Sequence, residues 1–147
     1  MEVSLHLTRS KYGKFHDLGD YYEDLKEYYF YDDPKFNCVS IDWSRWPKNV
    51  TPGISIGRYH PDKALITISP ILDTKKVPKY FISHVIYHEM LHHILPWEET
   101  ENGYSILHTP AFREAESRYK HHAKALKWEE NNMDKLIRSY SRKQRST

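Results

Sequence analysis

Cysteine is nearly absent: Cys38 is the one thiol in 147 residues. No intrachain disulfide and no Cys-rich zinc ribbon can form from it, which suits a reducing compartment. Glycine (5) and proline (8) are too sparse for a fibrous or low-complexity chain. No apolar run approaches the roughly 18 residues of a membrane span. The start, Met1-Glu2-Val3-Ser4, lacks the basic region and apolar stretch of a signal peptide. These absences predict an intracellular protein (cytoplasmic, or nuclear in a eukaryote) with no membrane partner. Net charge is also small, +2, so composition neither requires nor excludes a nucleic-acid partner. The chain is instead rich in tyrosine (12) and, unusually, in histidine (10). Its length and its 39% hydrophobic content are those of one domain with a real core.

Periodicity divides the chain. Val3, Leu5 and Leu7 alternate with polar residues and suit a short strand. Leu18, Tyr21, Tyr22, Leu25, Tyr28 and Tyr29 recur at helical spacing, which predicts an amphipathic helix over 18–29 with an acidic outer face. Asp32-Asp33-Pro34 ends it. Alternation over 37–43 predicts a strand. Two β-rich runs, 54–59 and 64–69, flank His60-Pro61-Asp62-Lys63 and predict a hairpin. Residues 79–95 are apolar nearly all round, as in a helix buried in a core, and Pro96 stops them. Residues 97–107 read as an acidic loop. Thr109-Pro110 reads as an N-cap followed by Pro in the first helical turn. From there Phe112, Ala115, Tyr119, Ala123 and Leu126 predict one helical face, and a last short helix spans about 133–140. The order implies one α+β domain over 1–147, with a core of about 18–127 and a basic tail of about 134–147. A small, mostly antiparallel sheet would pack against the buried helix and the further helices.

The buried helix carries His88-Glu89-Met90-Leu91-His92. Two histidines at i and i+4 share one helical face, close enough to bind one metal ion. Glu89 sits roughly 100° away, able to face a metal-bound water without being a ligand. Zinc would lower that water's pKa for attack on a peptide carbonyl, with Glu89 as general base. Chance would produce this pattern about 0.05 times in a chain of this composition. A Glu and several imidazoles in a buried helix are also costly without a polar purpose. His84 extends the stripe, but Val85 stands where a second catalytic Glu would be, so His84 reads as a residue behind the ligands or at the entrance. A catalytic zinc needs a third protein ligand. His108, just before the Thr109-Pro110 helix start, leads. Glu114 and Glu116 fit the alternative of a helical carboxylate, while His121 and His122 read as the solvated end of that helix.

Together, His88-Glu89-Met90-Leu91-His92, a short acidic loop and His108-Thr109-Pro110-Ala111-Phe112 resemble the SprT-like zinc metalloproteases, best known from the Spartan proteases. The run Ile54–Pro70 followed by Val77-Pro78, and the tyrosine-rich first helix, are similar to that family as well. The resemblance covers about Leu18 to Tyr119. It implies a minimal zincin-like domain and a zinc metalloendopeptidase with three His ligands (His88, His92, His108), Glu89 as catalytic base and a protein or peptide substrate. The hairpin 54–69 is a candidate substrate edge, and Tyr104 a candidate oxyanion donor. The family's link to DNA, with the basic tail, implies at most weak, non-specific DNA binding. The competing reading is a metal-containing nucleic-acid-binding or interaction domain that cleaves nothing.

Overall fold

Asp17 starts the first helix among the described residues by accepting backbone N–H bonds from Gly19 (2.9 Å) and Asp20 (3.4 Å). Such a cap is worth about 1 kcal/mol. The computed structural model describes residues 11–48, 54–95, 98–99, 105–106 and 108–145. The expected strand at 3–7 and Tyr104 lie outside them.

Helix α1 (Leu18–Tyr29) has the bounds its periodicity predicts and buries Leu18, Tyr22 and Leu25. Strand β1 (Ser40–Trp43) follows, then β2 (Gly57–His60) and β3 (Leu65–Ile68). The sheet order is β1-β3-β2, with β1 parallel and β2 antiparallel to β3. Among the described residues β2 therefore ends the sheet. The β2–β3 hairpin turns through 61–64, with Ala64 in the left-handed region at φ 49°. Alternation sets the faces. Ile41, Trp43, Ile66 and Ile68 are buried, while Ser40 and Arg58 are exposed.

Helix α2 (Lys79–Ile94) lies against this sheet and buries side chains all round, from Phe81 to Leu91. The stretch expected as an acidic loop holds a short antiparallel pairing, β4 (Glu98–Glu99) with β5 (Ser105–Ile106). Thr109 caps α3 (Pro110–Ser117), its hydroxyl accepting from Phe112 N at 3.1 Å.

The helical face expected to run from Phe112 to Leu126 is broken. Helix α3 stops at Ser117 and α4 runs from His122 to Arg145, absorbing both the expected short helix and most of the basic tail. The cause is tertiary. The Tyr119 hydroxyl donates to Tyr80 O (2.9 Å), and Lys120 N donates to the Tyr29 hydroxyl (2.8 Å). These bonds draw 118–121 into a turn, and the new phase leaves Leu126 45% exposed while Ala125 and Ile137 are buried. Among the described residues, no helix is long and apolar enough to cross a membrane.

Candidate metal centre

One turn of α2 separates His88 from His92, so both imidazoles leave the helix on the same side. The chain then returns through β4 and β5, and His108 arrives just before the Thr109 cap. Its Nε2 lies 3.2 Å from Nε2 of His88 and 3.2 Å from Nε2 of His92. One nitrogen from each of the three residues falls within 4.8 Å of the others, and no other group of three His, Cys, Asp or Glu does so among the described residues. Phe112, fully buried on the first turn of α3, forms the floor, with ring centroids 5.0, 4.6 and 4.9 Å from His88, His92 and His108.

The donor set fits a zinc ion. Tetrahedral zinc with imidazole nitrogens at 2.0–2.1 Å places its donors about 3.3–3.4 Å apart, close to the spacing found. Burial and the neighbouring His88 and His108 push His92 down to about 4. Burial, with His88, also lowers His108. Both shifts favour the neutral rings, which present lone pairs. Burial alone would lower His88, but its hydrogen bond to Glu116 and the charges of Glu89 and Glu116 raise it.

Glu89 is 6% exposed, and burial pushes it up to about 7 against the pull of His88. A carboxyl kept this close to neutrality is poised to exchange a proton. Gly57 of β2 backs onto it: a Cβ there would lie 3.1 Å from Glu89 Oε2 and 2.6 Å from Val85 Cγ1. Only a residue without a side chain lets the strand come this close to α2.

Residues 18–133 match the SprT-like family. The chain belongs to that family. No curated protein and no solved structure matches it. Family membership and the histidine cluster agree on a metallopeptidase-like domain with a possible metal site.

The other sequence candidates lie elsewhere. His84 is 7% exposed and sits among Phe81, Tyr119 and His122, not at an entrance. His122 is half-buried with its Nδ1 unpartnered, not at a solvated end. His93 points away, donating from Nε2 to Lys35 O (2.5 Å) and accepting at Nδ1 from the Tyr59 hydroxyl (2.6 Å). Glu114 is exposed and pairs with Arg118 at 3.1 Å. Glu116 meets His88, but at Nδ1, which donates to Oε2 at 2.5 Å. The places of Phe112, Glu116 and Gly57 were not foreseen. For the first two a signal existed: they are four apart, hence on one face of α3.

Proposed function

We propose that this SprT-like domain is a zinc-dependent endopeptidase. His88, His92 and His108 hold the metal, and Glu89 is the general base. The observation that carries the reading is that His108 Nε2 lies 3.2 Å from Nε2 of both His88 and His92, with the buried carboxyl of Glu89 next to His88 on the helix. When bound, zinc supplies an electrophile that acidifies water and polarises a peptide carbonyl. Glu89 accepts the proton of the attacking water and delivers it to the leaving amine. Its burial beneath Gly57 holds it in a low-dielectric site, where its charge acts strongly on its surroundings. An extended substrate pairs with the outer edge of β2, whose backbone passes directly over Glu89. Any DNA contact falls on the basic C-terminal turns of α4 and is non-specific.

The test is Glu89→Gln, which keeps shape and zinc ligands but removes the base. Cleavage of an unfolded protein, assayed with and without single-stranded and duplex DNA, should fall about 10²–10⁴-fold while zinc content stays at one per chain. A variant that cleaves as well as wild type removes Glu89 from the mechanism. A wild type that holds zinc and stays inert on every substrate favours the interaction-domain reading.

A further inference from the structure

We propose that Glu116 is a positioning residue for the histidine cluster: it donates nothing to the metal but fixes the tautomer and orientation of His88. The proposal rests on the metal-centre reading above. His88 has two ring nitrogens with different neighbours. Nε2 faces the cluster, 3.2 Å from His108, and Nδ1 faces Glu116 Oε2 at 2.5 Å. A carboxylate only accepts, so this bond places the ring proton on Nδ1. The lone pair is thereby left on Nε2, the atom aimed at the shared centre.

The pair is built into the fold. Its side chains are 25% and 14% exposed, so it is not a solvated surface contact. The residues just before each partner are also joined, as the Tyr87 hydroxyl donates to Ala115 O at 2.8 Å. That bond sets the register of α2 against α3, so Glu116 meets His88 rather than the next turn. Phe112, one turn before Glu116, packs edge-on to the His88 ring and limits its rotation. Glu114, on the same helix, has none of this: it is 71% exposed and paired with Arg118.

Zinc affinity by chelator competition, on wild type, Glu116→Ala, Glu116→Gln and His108→Ala, tests the proposal. Thermal melts of the metal-free forms check that each variant folds. Losing such a partner weakens metal binding about 10–100-fold. We expect that loss in Glu116→Ala and a smaller one in Glu116→Gln, whose amide oxygen still accepts from Nδ1. His108→Ala should lose tight binding altogether. In ¹⁵N NMR of the zinc-loaded protein, the His88 Nδ1–H signal should stay far downfield in Glu116→Gln and be lost in Glu116→Ala, a change that loosened packing alone would not give.

Glu116→Ala binding zinc as tightly as wild type would overturn the proposal and leave the metal centre intact. A loss as complete as that of His108→Ala would make Glu116 a ligand, which also overturns it. Equal losses in the Ala and Gln variants, tracking lost thermal stability, would reduce Glu116 to packing. A wild type that holds no zinc removes the metal-centre reading itself, and the proposal with it.

Discussion

His84 stands one turn before His88 in the same stripe, and the two are chemically unlike. Burial pushes His84 down to about 4, while Glu116 opposes the shift. Its Nδ1 is buried without a partner. In the unfolded chain the ring takes a proton near 6.5. Between these values the unfolded state binds more protons, so His84's share of stability is complete above about 6.5 and is lost as pH falls toward 4. By pH 5 that loss is about 2 kcal/mol. We expect His84→Leu in the metal-free protein to shrink the stability difference between pH 7.5 and pH 5 by about this amount in urea unfolding. Parallel pH curves for variant and wild type would contradict it. Spacing alone treats His84–His88 and His88–His92 alike, and in the sequence only Glu89, against Val85 one turn earlier, favours the second pair. In the structure the returning His108 joins His88 and His92 and not His84.

At the level of elements, α1 and α2 lie where local pattern places them, whereas the helices after Thr109 do not, because contacts between distant segments redraw them. α1 keeps the bounds of its own periodicity and α2 closely those of its apolar run, both visible in sequence. The break between α3 and α4 is made by Tyr80 and Tyr29, far away in the chain. No window around Tyr119 reveals it, because the apolar spacing continues through the break. The crossing of β2 over α2 is equally silent in sequence, yet it presses Gly57 against Glu89. We expect Gly57→Ala to cost about 1–3 kcal/mol, the usual range for overpacking, since Val85 Cγ1 at 2.6 Å cannot swing aside as a long side chain could. Displacing Glu89 by a fraction of an ångström should also lower kcat/KM at least 10-fold. Zinc content should not change, because the atoms a Cβ at Gly57 would meet first belong to Val85 and Glu89, not to the three imidazoles. Melting curves and cleavage kinetics on one preparation check this. Unaltered cleavage would detach the strand from the placement of Glu89.

For the whole molecule, charge is unevenly spread: residues 16–33 carry seven acids and one Lys, whereas 134–147 carry five Lys or Arg and one Asp. The basic side is the C-terminal half of α4, a helix rather than the tail the sequence suggested. If DNA binds there through about four phosphate contacts, log affinity should fall with log salt with a slope of about −3 to −4. Removing residues after Ser139 should flatten that slope, and sequence-selective or salt-independent binding would contradict it.

The proposed chemistry depends most on what the three imidazoles hold. X-ray absorption at the zinc edge, on protein purified with its metal, reads the ligand shell directly. It should show one zinc per chain with four nitrogen or oxygen neighbours near 2.0–2.1 Å and the outer-shell scattering of three imidazoles, which His108→Ala reduces or abolishes. A sulfur neighbour, fewer than three imidazoles, or protein that takes up no zinc would contradict it.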